Sequence, residues 1–156
     1  MPLPFWDSRN RIAVNRLVKI AIIGAGSHVF SKRLITDFLS CPDLRDSTIC
    51  LMDVDRERLD LMAAFAKKMV GQWDFRTRVE STTDRRAALE GADYVIVSIR
   101  VGGSEANKLD VGIPAKYGVK QGIGDTIGPG GVFYGLRHIP VLLEICHDVE
   151  ELCPDA

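Results

Sequence analysis

The chain has 156 residues, enough for one domain with a full core. At 46% apolar, 26% charged and a net charge of −1, its composition is that of an ordinary globular protein. Charge so near balance excludes a basic field for nucleic acid or a polybasic membrane signal, and no apolar stretch approaches the length of a membrane span.

Residues 1–17 read as an N-terminal extension without a clear period, and residues 18–156 as a single domain. Pro2, Pro4, Trp6 and the charges around them interrupt the apolar run that a signal peptide requires, so a cytoplasmic location is expected. Lys19 to Ile23 is apolar at nearly every position, as a strand buried on both faces should be. Ser27 to Leu39 reads as a helix, ended by the turn signal Cys41-Pro42-Asp43. Thr48 to Met52 is a second strand that delivers Asp53 at its carboxyl end. From Asp55 a helix runs to about Val70, with Leu59, Met62, Ala63, Ala66, Met69 and Val70 on one face at helical spacing.

Arg76 to Ser81 reads as a short third strand, Asp84 to Glu90 as a short helix closed by Gly91, and Tyr94 to Ile99 as a fourth strand. After Gly102-Gly103 a mixed, helix-like segment reaches Tyr117. A glycine-dense loop from Gln121 to Gly131 then leads into a long helix to about Leu152. In that helix Val132, Leu136, Ile139, Leu143 and Cys146 recur at intervals of four and three, and Pro140 should kink it or end its first half. The order β-α-β-α-β-α-β with right-handed crossovers predicts an α/β, Rossmann-like, doubly wound parallel sheet. Such a helix ordinarily feeds a fifth strand, and none is predicted, so the domain reads as incomplete at its C-terminus. Cys41, Cys50, Cys146 and Cys153 form no C-x-x-C pair and read as reduced core thiols.

The chemistry is carried by the first strand-to-helix junction. Gly24-x-Gly26 follows an apolar run and opens a helix, with Asp53 about one βαβ step later. The first glycine permits the tight turn, and the second lets the backbone approach a pyrophosphate. The helix N-terminus offers free N–H groups and the positive end of its dipole to that anion. Val29 stands where a third glycine of the fingerprint would, a position that governs helix–strand packing. Asp53 would accept hydrogen bonds from the adenosine ribose and repel a 2′-phosphate, which favours NAD over NADP; the structural alternative is a plain N-cap. Gly24, Gly26, Ser27, His28, Val29, Phe30, Asp53 and Ser98 are therefore the candidate cofactor residues. His28 is equally well a solvated imidazole, and Arg100 is equally well an anion contact or a surface arginine. Five glycines among the eleven residues of the 121–131 loop make its ordering costly, which points to close approach of a ligand or partner, or to a tight crossover turn. No Ser-His-Asp constellation, P-loop or metal-ligand spacing is visible.

Several segments together resemble the amino-terminal region of glycoside hydrolase family 4. They are Ile22-Ile-Gly-Ala-Gly-Ser27, Leu51-Met-Asp-Val-Asp55, Ile99-Arg-Val-Gly-Gly103, Gly124-Asp-Thr-Ile-Gly-Pro-Gly-Gly131 and Leu136-Arg-His-Ile-Pro140. The resemblance runs from about Lys19 to Ala156. It implies a fold akin to lactate and malate dehydrogenases and a hydrolase dependent on NAD and a divalent metal such as manganese. It also implies an unusual mechanism: transient oxidation of a glycoside at C3, then elimination, rehydration and hydride return. The metal-binding, sugar-binding and catalytic residues of that family have no counterpart in residues 1–156, so no catalytic or metal residue is assigned here. A sugar-side role for Arg100 and Asp125 is implied more weakly.

The Asp125-Thr126-Ile127 variant looks like the α-galactosidase and α-glucosidase branch, whereas Ile99-Arg100-Val101-Gly102 looks like the 6-phospho-glycosidase pattern. An NAD-dependent hydroxy-acid dehydrogenase fragment and a non-catalytic NAD-binding module are the other readings. A homo-oligomer is expected for the complete enzyme.

Overall fold

The computed structural model describes residues 17–73, 75–122 and 127–156. The predicted extension and Asp125 lie almost wholly outside them. Four parallel strands, β1 (Lys19–Ile23), β2 (Thr48–Met52), β3 (Arg78–Thr82) and β4 (Tyr94–Val97), form one sheet in the order β3-β2-β1-β4. Helices α1 (His28–Ser40), α2 (Arg56–Val70), α3 (Arg85–Leu89), α4 (Gly103–Lys116) and α5 (Pro129–Leu152) follow in chain order. This is the doubly wound parallel arrangement predicted.

Alternation along the two central strands divides the core. Ile22, Ile49 and Leu51 meet Ile35 and Leu39 of α1 and Leu59, Met62, Ala63 and Ala66 of α2. Ala21, Ile23, Cys50 and Met52 point the other way, onto Ala88 and Leu89 of α3 and Ile145 of α5. A strand covered on both faces has no polar side to show, so β1 reads as a continuous apolar run. Burial of Cys50 raises its thiol pKa above the ordinary value. Only Cys50 and Cys153 are core thiols, however. Cys146 is exposed and Cys41 half-buried, so the expectation of four core thiols fails for two of them.

Two element boundaries differ from expectation for identifiable reasons, and the proline expected to kink or divide α5 does not end it. Strand β3 starts at Arg78 rather than Arg76. The backbone of Arg76 is held by the Asp46 carboxylate (3.0 Å), and the Thr77 hydroxyl donates to the Arg45 carbonyl, so this pair is tied to the preceding loop and not to the ladder. β4 ends at Val97 rather than Ile99 because its partner β1 turns away after Ile23. Helix α5 does not end at Pro140. The carbonyl that loses its partner belongs to Leu136, which stands on the solvent side where water can satisfy it.

The face that α5 presents is also unexpected. Val132, Leu136, Ile139 and Leu143 are 57%, 70%, 57% and 55% exposed. The helix docks instead through Val141, Ile145, Val149 and Leu152. An ion-pair cluster secures that docking: Asp148 accepts from Arg85 Nε and Arg86 Nη1, both at 2.6 Å, and Arg86 Nη2 reaches Glu151 at 2.6 Å. Burial opposes ionisation of Asp148, but the hydrogen bonds from Arg85 and Arg86 outweigh it and hold the carboxyl below its ordinary range. The outer edge of β4 pairs with no strand among the described residues.

Candidate functional site

The strand order reverses between β1 and β4, and their carboxyl ends frame a crevice of the kind in which parallel sheets bind ligands. The chain leaves β1 through Gly24 at φ +91°. The N–H groups of Gly24 and Ala25 both donate to the Met52 carbonyl at 2.8 Å, which pins the turn to the end of β2. A Cβ on Gly24 would collide with the Ser98 carbonyl and crowd Ile99, so glycine is required for both conformation and space. Ser98 itself donates its N–H to the Ile23 carbonyl at 2.8 Å and forms the opposing wall.

Ser27 is the N-cap of α1 and makes no side-chain capping bond, and no acidic residue occupies the first turn. The N–H groups of His28, Val29 and Phe30 therefore have no intrahelical acceptor and lie at the positive end of the helix dipole. The side chains of all three are exposed. Val29 accordingly does not set the helix–strand spacing. That role belongs to Ser31, buried two residues later, whose hydroxyl donates to the Ala25 carbonyl at 2.8 Å. On a helix, positions two apart point to opposite sides, so Val29 and Ser31 cannot both face the sheet. His28 joins Lys32, Leu61, Met62 and Phe65 around a shallow apolar hollow between α1 and α2.

Asp53 is bound on both oxygens. Oδ2 accepts the Gly26 N–H at 2.7 Å, and Oδ1 accepts the Asp55 N–H at 2.9 Å. The helix cap is Asp55, which accepts the Arg58 N–H at 3.1 Å, so the N-cap alternative for Asp53 is removed. Gly26 has a second role that spacing did not reveal: a Cβ there would stand 2.7 Å from Asp53 Oδ2. Its missing side chain makes room for the carboxylate. Each carboxylate oxygen keeps a further acceptor direction, enough for the two hydroxyls of a ribose. An anion at the open helix end and a diol at Asp53 are the chemistry this edge can receive.

Arg100 is exposed just beyond β4 and makes no ion pair among the described residues. Asp125 lies outside the described residues. Gln121 was not singled out from the sequence. Its Oε1 accepts the Gly130 N–H at 3.1 Å, and its amide lies against Gly128, so it ties the start of the glycine-dense loop to the first turn of α5. Asp110, buried on α4, and Arg137 on α5 form a two-point ion pair, one bond at 2.9 Å, which raises the arginine pKa chiefly through those hydrogen bonds. No sequence signal links residues 27 apart on two helices. Among the described residues no group of three or more His, Cys, Asp or Glu side chains could hold a metal ion, and no helix is long and apolar enough to cross a membrane.

Known proteins share this framework. An α-galactosidase of Rhizobium meliloti (strain 1021) is 52% identical over 134 residues, 86% of this chain and 27% of that protein. An α-glucosidase of Erwinia rhapontici is 43% identical over 139 residues, 88% of this chain and 31% of that one. The solved 6-phospho-beta glucosidase of Thermotoga maritima, with manganese, NAD+ and glucose-6-phosphate, superposes with a TM-score of 0.78 at 31% identity. That match covers 87% of this chain and 32% of the glucosidase. The chain thus spans under a third of the length of these relatives. The sequence model of the family 4 glycosyl hydrolases matches residues 19–156, and with the parallel sheet and the Gly24–Asp53 arrangement in place, the chain belongs to that family.

Proposed function

We propose that this chain is the NAD-holding part of a family 4 glycosidase that hydrolyses α-galactosides or α-glucosides. The observation that carries the reading is Asp53, oriented by the Gly26 and Asp55 N–H groups beside the uncapped start of α1. In this reading Gly24 and Gly26 shape the turn, the backbone of Ser27, His28, Val29 and Phe30 faces the pyrophosphate, and Asp53 takes the adenosine ribose. Ser98 bounds the nicotinamide side. The Asp53 carboxylate would repel a 2′-phosphate, which supports NAD over NADP. Bound NAD supplies a reversible hydride acceptor for a sugar hydroxyl carbon, acidifying the neighbouring C–H enough for elimination of the aglycone. The chain's own residues bind and orient. The proton-transfer and manganese-binding groups belong to other parts of a complete enzyme.

The α branch is supported by the higher identity to the α-galactosidase. A second reading, a 6-phospho-glycosidase, is favoured by Arg100, an exposed guanidinium at the sheet's carboxyl edge suited to a sugar phosphate. A homo-oligomer is supported by the exposed apolar row on α5, and a reducing cytoplasm by four cysteines without disulfides. Nucleic acid and membrane have no part in this reading.

The test has two arms. Titration of the chain should show NAD binding that exceeds NADP binding and weakens in Asp53→Asn; no NAD binding would sink the proposal. Replacing the corresponding first part of the Rhizobium α-galactosidase with this chain should preserve turnover of p-nitrophenyl α-galactoside. Turnover of only the 6-phosphorylated substrate would select the second reading.

A further inference from the structure

The buried face of α5 carries one polar ring that the apolar core does not explain. His138 is 4% exposed and stacks on Tyr134, with ring centroids 3.6 Å apart and planes within 16° of parallel. Its two nitrogens are committed in opposite senses. Nε2 accepts the Val101 backbone N–H at 3.0 Å and so carries no proton. Nδ1 lies 2.9 Å from the Tyr134 carbonyl, which can only accept, so Nδ1 carries the hydrogen. A neutral imidazole with Nδ1–H is the form that satisfies both contacts.

The Val101 bond spans 37 residues and ends on the turn by which the chain leaves the sheet's carboxyl edge. That turn closes with the Gly103 N–H on the Arg100 carbonyl at 3.1 Å and passes through Gly102 at φ +80° and Gly103 at φ +59°. Three residues upstream of Val101, the Ser98 carbonyl abuts Gly24. Arg137, beside His138, braces α4 through Asp110, and its Nε lies 3.6 Å from where a Cβ on Gly102 would stand. Helix α5 thus holds this turn through His138, with Arg137 packed alongside.

The topology gives the turn its significance. A dinucleotide whose ribose sits at Asp53, just beyond β2, and whose pyrophosphate sits over the end of β1 must run its other half toward β4. We propose that His138 is a positioning residue for the nicotinamide half: its neutral imidazole fixes the Val101 peptide, and with it the Ser98–Gly103 wall, without touching the cofactor. This rests on the dinucleotide reading above.

The test compares the wild-type chain with His138→Gln and His138→Phe, using NAD and ADP as probes in a ¹H–¹⁵N correlation titration. The glutamine carbonyl reaches about as far as Nε2 and can accept the Val101 N–H. Phenylalanine keeps a ring for the stack and removes the acceptor. His138→Phe should weaken NAD on the order of tenfold and ADP by less than about twofold, while His138→Gln stays within about threefold of wild type for both. The Val101 amide resonance should shift in His138→Phe, and the wild-type imidazole nitrogens should show the Nδ1–H tautomer. Should His138→Phe not fold, His138→Asn, whose carbonyl is too short to reach Val101, takes its place with the same expectation. Equal losses of NAD and ADP, an unchanged NAD affinity, or the opposite tautomer would each overturn the proposal. If wild type binds ADP and NAD but the variants do not separate them, only His138 is at fault. If wild type binds neither, the dinucleotide reading falls and this inference with it.

Discussion

The two glycines of the first turn serve different purposes. Gly24 sits at φ +91° with the Ser98 carbonyl where a side chain would go. Gly24→Ala should therefore cost about 1–3 kcal/mol in backbone strain alone, with the clash added, measurable as a lower denaturant midpoint. Gly26 has no such strain, but its missing Cβ is the space that Asp53 occupies. Gly26→Ala should leave the fold intact and displace the carboxylate, weakening NAD on the order of tenfold with little change in thermal midpoint. Calorimetric titration beside a thermal melt separates the two. The glycine spacing was legible in the sequence, but the reason for the second glycine was not, because Asp53 is 27 residues away and meets it only through the β1–β2 pairing. The same holds for Val29: the fingerprint assigns it to packing, and the helix phase turns it to solvent.

At the scale of elements, α5 shows how periodicity identifies a helix without identifying its buried face. Its apolar residues occupy two sides, both spaced at threes and fours: Val132, Leu136, Ile139 and Leu143 are left exposed, while Val141, Ile145, Val149 and Leu152 dock. What orients the helix is the cluster of Arg85, Arg86, Asp148 and Glu151, together with Ile145 on the sheet. Because the folded pKa of Asp148 is depressed, the stability it contributes is present above its ordinary value of 3.8 and is lost as pH falls through the lowered folded value. Asp148→Asn should lower the melting temperature at neutral pH, and the gap to wild type should close as the pH is taken below 3.8. Thermal melts across a pH series check this. The exposed row has its own consequence. Contiguous exposed Val132, Leu136, Ile139 and Leu143 favour self-association. Leu136→Glu with Leu143→Glu should raise the monomer fraction in sedimentation while leaving the melting temperature nearly unchanged, since neither side chain packs on the core.

For the whole molecule, the described residues supply a cradle and its scaffold, and no cluster of side chains suited to a metal. The chain spans 27% of the Rhizobium α-galactosidase. Purified alone, it should give no measurable release of p-nitrophenol from α-galactosides or α-glucosides even with NAD and manganese present; any turnover would contradict the assignment of the chain to cofactor holding. The sequence by itself determined the parallel α/β class, the order of its elements, the Gly24 turn and the acidic residue after β2. These follow from local rules: strands buried on both faces are apolar throughout, tight turns need glycine, and helices keep their period. Only the tertiary structure decided that Gly26 makes room for Asp53 and that Ser31, not Val29, packs against the sheet. It alone decided which of the two apolar rows of α5 turns outward, that Asp110 and Arg137 join α4 to α5, and that Gln121 and His138 tie loop backbone to α5. The reason is common to all of these. Each depends on which side of an element faces which neighbour across tens of residues, and spacing along one chain records the period of an element but not the direction in which it points.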